Sequence, residues 1–303
     1  MMTSSTDLYG VFYAQCDHAP LYAAPWWLDA VCGNNKWEVV NMLDDEGKSA
    51  GYIPYYKTQI RGISAIITPP LTQWLPIVKK EDQSQVSVVE FLKSLPSCPI
   101  VDLTIKPAEN QLLSPFPFRV NFKYSYVIPY HEGPSDAKLN YSEGLRRNLR
   151  EAEKNYTIAS SEDVEHFLQL CHATYRHQKI KSPSWLDHIV SQIVPALKKN
   201  KSGHIHFAFD KGTAIAGILT GWDAQTTYYL TGGRKGDQQG ASAHALLLDH
   251  AIREANTRGH KFDFEGSMHP GIANFFQSFG ALPEPYWQVR KFNGIGRLWS
   301  LFH

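Results

Sequence analysis

The chain has 303 residues, 43% hydrophobic and 13% aromatic, enough to bury a large core in one big domain or two ordinary ones. Lys and Arg total 30 against 29 Asp and Glu, which argues against a protein built mainly to coat nucleic acid and leaves room for a local basic patch. Cys16, Cys32, Cys98 and Cys171 form no CxxC pair, MMTSSTDLYG is no signal peptide, and no apolar run nears the ~20 residues of a membrane helix. A cytoplasmic protein with reduced thiols and no membrane insertion is expected.

In chain order, Pro25 to Val31 predicts a short helix with proline in its first turn. Lys36 to Leu43 and Lys48 to Tyr56 flank Asp44-Asp45-Glu46-Gly47 and predict a hairpin. A strand is expected at Ile63 to Thr68, a helix at Ser84 to Leu95 and a strand at Ile100 to Ile105. The Gly/Pro/Asp-rich stretch from His131 to Lys138 reads as a boundary, giving domains of residues 1–135 and 136–303.

Past the boundary a helix starts near Tyr141, with Asn140 and Glu143 placed as a capping box. Leu145, Leu149 and Ala152 form its buried stripe. Arg146, Arg150 and Lys154 form a basic one, either a solvated face or an anion-contacting edge. Glu162 to His177 brings Val164, Phe167, Leu168, Cys171 and Tyr175 to one helical face, with Ser160 or Ser161 as cap. Trp185 to Lys199 repeats that rhythm, and Pro195 should kink or restart it.

His204 to Asp210 alternates as a strand, Lys211-Gly212 turns, and Thr213 to Trp222 fits a central strand. His204 and His206 share a face, but no third ligand stands at a diagnostic spacing, so no metal is expected. WEVVNMLDDEGKSAGYIPYY and IHFAFDKGTAIAGILTGW share a strand–acidic-x-Gly–strand plan, a sign of two related halves.

The stretch from Thr226 to Ser267 reads as strand, glycine-rich loop, helix, strand. Thr227 to Leu230 has strand composition, and Gly232, Gly233, Gly236 and Gly240 give a loop its freedom. From Ala243 the apolar residues fall on one helical face until Gly259, and Lys261 to Glu265 alternates as a second strand. A glycine loop opening onto a helix start offers amide N–H groups and a positive dipole end, a place for phosphate. Many such loops are plain turns. The functional reading gains from Asp263, Glu265 and Ser267, which the alternation places together near the same helix.

The order of elements, with LRRNLREAEK (Leu145–Lys154), QGASAHALLLDHAI (Gln239–Ile252), FDFEGS (Phe262–Ser267) and GIANFFQSFGALPEPY (Gly271–Tyr286), resembles the GNAT acyltransferases. Within them it is similar to the Fem-type (FemABX-like) peptidyltransferases and BioF2-like acetyltransferases. The resemblance covers the second half well and the first half more loosely. It implies an α/β (α+β) fold of tandem GNAT-like domains, each a mixed, mostly antiparallel sheet flanked by helices, the second one active. It also implies an acyl-CoA co-substrate on the glycine loop, with Thr231, Gly232, Gly233, Arg234, Gly240, Ala241 and Ser242 as contacts, and a strand that splays from its neighbour to hold the carbonyl.

Two features depart from that pattern. The loop register puts Asp237 and Ser242 where the family has Gln/Arg and Gly/Ala, and His166 to Gly203 leaves no room for a coiled-coil arm. The second departure disfavours tRNA as donor.

Acyl transfer to an amine needs a held donor, N–H groups facing the developing oxyanion, a base for the ammonium and an acid for the leaving group. Glu265 is the first choice of base and Asp263 the second, against the alternative that the carboxylate caps the helix near Gly271. Tyr228 and Tyr229 are candidate acids, the second preferred, and Tyr175, Arg146, Arg150 and Ser267 candidate contacts for a small-molecule or peptide amine. A homodimer stays open. So do two other functions: an aminoacyl-tRNA-dependent peptidyltransferase of cell-wall precursor synthesis and a non-catalytic GNAT-like binding protein.

Overall fold

The computed structural model describes residues 5–34, 36–43, 46–79, 87–106, 118–131, 137–266 and 268–294. Helices α1 (Ser5–Tyr13) and α2 (Pro25–Cys32) lead into strands β1 (Trp37–Leu43), β2 (Ser49–Ile60), β3 (Ile63–Ile67) and β4 (Val78–Lys79). Then come α3 (Val88–Ser94), β5 (Ile100–Ile105), β6 (Arg119–Ile128), α4 (Glu143–Asn155), β7 (Thr157–Ser161), α5 (Val164–His177) and α6 (Leu186–Lys199). The chain continues through β8 (Gly203–Asp210), β9 (Thr213–Trp222), β10 (Thr226–Arg234) and α7 (Gln238–Thr257). It closes with β11 (Lys261–Asp263), α8 (Pro270–Gln277) and β12 (Leu282–Phe292).

These elements form two compact units, Met1–Lys123 with Pro285–His303, and Tyr124–Glu284. The chain passes between units twice rather than once at residue 135, because β12 pairs antiparallel with β5, from Trp287 opposite Ile105 to Phe292 opposite Ile100. Most of the Gly/Pro-rich stretch read as the boundary lies outside the described residues, as do Asp44 and Asp45 of the first hairpin turn.

In the first unit β1, β2, β3, β5 and β12 lie side by side, with β4 on β2. Only β3 and β5 run parallel among these pairs. The core is an apolar layer of Ile53, Ile66, Leu103, Ile105 and Val289 under Phe91 of α3. The predicted hairpin, β3, β5 and α2 all form, because alternation and turn chemistry are local signals.

The second unit orders its strands β6-β11-β10-β9-β8-β7. All neighbours are antiparallel except β10 and β11, which α7 joins as a crossover. Both units are thus mixed, mostly antiparallel sheets flanked by helices. Asp210 pairs Thr213 across Lys211 (φ 46°) and Gly212 (φ 82°), the left-handed pair that a two-residue hairpin needs. The buried face of α7, including Ala243, Leu246, Leu247, Ala251, Ile252 and Ala255, packs with Leu145, Leu149 and Ala152 of α4.

Several boundaries differ from the sequence reading. Ser142, not Asn140, caps α4 through the Leu145 N–H at 3.3 Å, and Asp163, not Ser160 or Ser161, caps α5 through the His166 N–H at 2.9 Å. The α6 helix runs through Pro195 without restarting, its buried residues Ile193, Val194 and Leu197 continuing on both sides of the proline. Packing of that stripe outweighs the one lost backbone hydrogen bond.

Gly233 on β10 is where α5 meets the sheet: a Cβ there would stand 2.1 Å from the Cys171 N and 2.3 Å from the Leu170 C. Backbone cannot yield as a side chain does, so Gly233→Ala should cost at least about 1–3 kcal/mol in urea unfolding. Gly144 in α4 faces open space. Gly144→Ala should therefore raise stability by up to about 1 kcal/mol.

Candidate active site

The site grows out of one mismatch in strand length. β10 and β11 pair only over Thr226↔Lys261, Thr227↔Phe262 and Tyr228↔Asp263, after which β11 stops and β10 continues to Arg234. A parallel ladder that ends early leaves the longer strand with backbone groups turned toward a gap. On the other side β10 stays bound to β9, with a bulge between Tyr229 and Thr231 that adds twist where the gap begins. Gly232 and Gly233 therefore lie inside a strand opposite Ile218 and Gly217, not in a loop.

The far end of that edge is closed by α5. Thr174 Oγ1 accepts from the Arg234 N–H at 2.8 Å and lies 3.2 Å from the Arg234 carbonyl, to which it donates. Strand alternation turns the Gly232 N–H to the same side as that of Arg234, since Lys235, whose N–H bonds the Ile215 carbonyl at 2.9 Å, and with it Gly233, face β9. A side chain at Gly232 would strike the Tyr229 hydroxyl at 2.6 Å and His244 Cε1 at 2.8 Å.

Tyr229 and His244 form a pair over that glycine, hydroxyl to Nε2 at 3.2 Å, with the rings 5.8 Å apart and perpendicular. Burial raises the phenol, with Cys171 and Tyr175 near enough to add to it, so Tyr229 keeps its proton. Burial, helped by the Arg234 charge, lowers His244 to about 4, so the imidazole is neutral. The other nitrogen, Nδ1, is buried and has no hydrogen-bond partner among the described residues. His244 is a residue the sequence reading passed over; its one signal was a polar side chain in the second turn after the glycines. Tyr175 joins this neighbourhood from α5, half-buried and with its phenol raised by burial. Tyr228 points elsewhere, its hydroxyl donating to Asp223 Oδ2 at 2.7 Å.

The two carboxylates do not share a strand face as alternation suggested. β11 ends at Asp263, whose Oδ1 accepts from the Ser125 hydroxyl and, at 2.8 Å, from the Glu265 N–H. Asp263 is a buried brace for the turn that follows. Glu265 then takes φ 60° and Gly266 φ 70°. Gly266 must be glycine, because a Cβ would lie 2.1 Å from the Tyr124 carbonyl oxygen. A left-handed glutamate costs about 1–2 kcal/mol, strain of the kind that collects at functional sites. Burial pushes its carboxyl well above the usual range. The N-cap of α8 is His269, whose own side chain makes no cap bond. Glu265 stands two residues along the chain from the last β10 pair, Tyr228↔Asp263. Phe276 of α8 links the two parts of the site, stacked on Phe264 at 4.5 Å and edge-on to Tyr229 at 6.4 Å.

The helix turn expected to hold phosphate is built differently. α7 begins at Gln238, five residues before the predicted start at Ala243, so Gly240 and Ala241 are helical. The Asp237 carboxylate caps it, accepting from the Gly240 N–H at 2.7 Å, while the Ala241 N–H bonds the Asp237 carbonyl at 3.2 Å. Arg234 curls back onto the carbonyls of Lys235 and Asp237 at 3.1 and 3.3 Å. Ser242 donates instead to Asn148 Oδ1 of α4 at 2.8 Å. A diphosphate on this turn would meet the Asp237 carboxylate and the Gly240 and Ala241 amides already engaged, an arrangement unfavourable to the pyrophosphate of coenzyme A.

Arg146 and Arg150 are exposed on α4 and each lies two residues from Asn148, about 200° around the helix, so they flank the face away from that turn. Ser267 lies outside the described residues.

A parallel pair that parts early, a bulged central strand and a helix crossing between them are the marks of the GNAT fold. The family model described as an acetyltransferase (GNAT) domain matches residues 140–275, which lie within the second unit, in line with the resemblance. Over 94% of this chain and 96% of the other, the fold is that of FemX, at 11% identity and a TM-score of 0.70. L-PGS from Bacillus licheniformis superposes with a TM-score of 0.58 and 12% identity, covering 97% of this chain and 95% of that one. The C-terminal domain (DUF2156) of a protein assigned as a lysylphosphatidylglycerol synthetase in Agrobacterium fabrum gives 0.58 and 14%, covering 97% and 94%. Among curated proteins none matches the sequence. No helix among the described residues is long and apolar enough to cross a membrane.

The raised carboxyl of Glu265 has a consequence for stability. The folded chain holds that proton more tightly than the unfolded one, so its contribution is full below the ordinary carboxylate range and is lost as pH rises through the folded value. Denaturation of Glu265→Gln across pH should be flatter over that window, and the variant should be the more stable form at its alkaline end.

Proposed function

We propose that the second unit transfers an acyl or aminoacyl group onto an amine along the open edge of β10. The observation that carries this reading is the end of the β10–β11 ladder at Tyr228↔Asp263, with Glu265 strained at its mouth. The carbonyl of the donor lies along β10, and the Gly232 N–H strengthens its bond to the oxygen as negative charge develops there. The amine nitrogen attacks the carbonyl carbon, and the ionised Glu265 carboxylate takes the proton that the nitrogen sheds. Tyr229, kept neutral by burial and oriented by His244, gives its proton to the departing oxygen or sulfur.

The Asp237 cap favours a donor whose recognition does not rest on a diphosphate at the α7 turn. An aminoacyl ester meets that condition. Among the proteins of this fold, one is assigned as synthesising lysylphosphatidylglycerol, whose name describes an aminoacyl group joined to its acceptor. A second reading, transfer from acyl-CoA with the pyrophosphate held elsewhere, is supported by the acetyltransferase domain match.

The two readings separate in one set of measurements. Acetyl-CoA should leave the melting temperature of the wild type unchanged, and Asp237→Asn, which removes the charge but keeps a cap, should admit at most weak binding. A clear shift with acetyl-CoA in the wild type would favour the thioester donor. With whichever donor is turned over, Glu265→Gln should lower kcat by about 10²–10⁴ with little change in KM. The wild-type rate should rise with pH through the elevated value of that carboxyl, and equal loss in kcat and binding would remove Glu265 as the base.

A further inference from the structure

A second cluster lies at the other end of α7. His204 and His206 project from one face of β8, and the fold brings Glu254 from the last turns of α7 against them. His204 Nε2 stands 3.3 Å from Glu254 Oε2, His206 Nδ1 stands 3.9 Å from the same oxygen, and all three donor atoms lie within 4.8 Å of one another. His250, one turn before Glu254, adds its Nε2 at 3.8 Å from Oε1. The imidazole rings converge, with His204 and His206 4.1 Å apart and His206 and His250 4.7 Å apart.

Four-coordinate zinc, with bonds of about 2.0–2.1 Å, sets its donor atoms about 3.3–3.4 Å apart, so small rotamer shifts would close this cluster around an ion. His206 is 3% exposed, and its Nδ1, aimed at the carboxylate, has no hydrogen-bond partner among the described residues. A buried polar atom without a partner costs about 1–3 kcal/mol, and an ion between it and Glu254 would satisfy it. Burial, then the neighbouring His204, keeps His206 unprotonated down to about pH 4, the state in which imidazole ligates. Opposing charges stand near: Arg258, 3.7 Å from Glu254 Oε2 but also over the Trp222 ring at 4.2 Å, and Arg253, which acts on His250 and is paired with Asp249 at 2.9 Å.

We propose that His204, His206 and Glu254 form a site for a divalent transition ion of the zinc class, with His250 placed to complete the coordination. Glu254 is fourteen residues from Gly240, about 21 Å along the helix, so the ion would pin β8 to α7 and stabilise the fold without touching the reacting groups.

The test uses the full chain, freed of any histidine tag and stripped with a chelator. Zinc chloride should bind with one equivalent by calorimetry and raise the melting temperature in a concentration-dependent way, whereas magnesium should do neither. Cobalt(II) should give the strong visible absorption of a four-coordinate centre. His206→Gln and Glu254→Gln should each weaken zinc by more than the ten- to hundredfold that loss of an outer partner costs. If His206→Gln does not fold, His204→Gln, at a partly exposed position, carries the same expectation. Absence of zinc binding, or binding of equal strength in these variants, would overturn the proposal.

Discussion

The arrangement in the second unit depends on a ladder that stops. Hydrogen bonds hold β11 to β10 for the pairs ending at Tyr228↔Asp263, and the tight left-handed turn at Glu265 and Gly266 then takes the chain off the sheet. A continued ladder would consume the β10 edge groups that a carbonyl can use. Asp263 is the residue that ends it, because its carboxylate accepts the Glu265 amide and the Ser125 hydroxyl. A buried side chain thus replaces the next strand partner and fixes the glutamate beside the gap.

Electrostatics separates this domain from a simple phosphate-binding one. A helix N-terminus attracts one negative group, and in α7 that group is the chain's own Asp237. Arg234, the natural partner for a phosphate, is spent on the carbonyls of the same turn. The catalytic edge and the anion turn are therefore independent features of the fold. The first stays open here and the second is filled from within by Asp237.

The long helix α7 ties together chemistry at both ends. Its first turns supply His244 to Tyr229 and Ser242 to Asn148; its last turns carry His250 and Glu254 to the histidines of β8. Between them an apolar face, from Ala243 to Ala255, packs in the core with Leu246, Leu247, Leu248 and Ile252 buried. That face sets the angular position of both polar ends, since a helix rotated by one residue would turn His244 and Glu254 about 100° from their partners.

The sequence by itself determined the mixed α/β class, the hairpins, the apolar faces of α4, α5 and α7, and the strand–helix–strand stretch that carries the site, because periodicity and turn chemistry act over a few residues. Only the tertiary structure decided which glycines are strand and which are helix, because Gly232 and Gly233 are fixed by β9, Tyr229 and α5 rather than by their neighbours in sequence. Tertiary contacts likewise parted Asp263 from Glu265 and seated Asp237 on α7. They also joined residues 204, 206 and 254, whose separation along the chain leaves no local pattern to read. Local rules wrote the elements; long-range hydrogen bonds and packing chose which of their side chains meet.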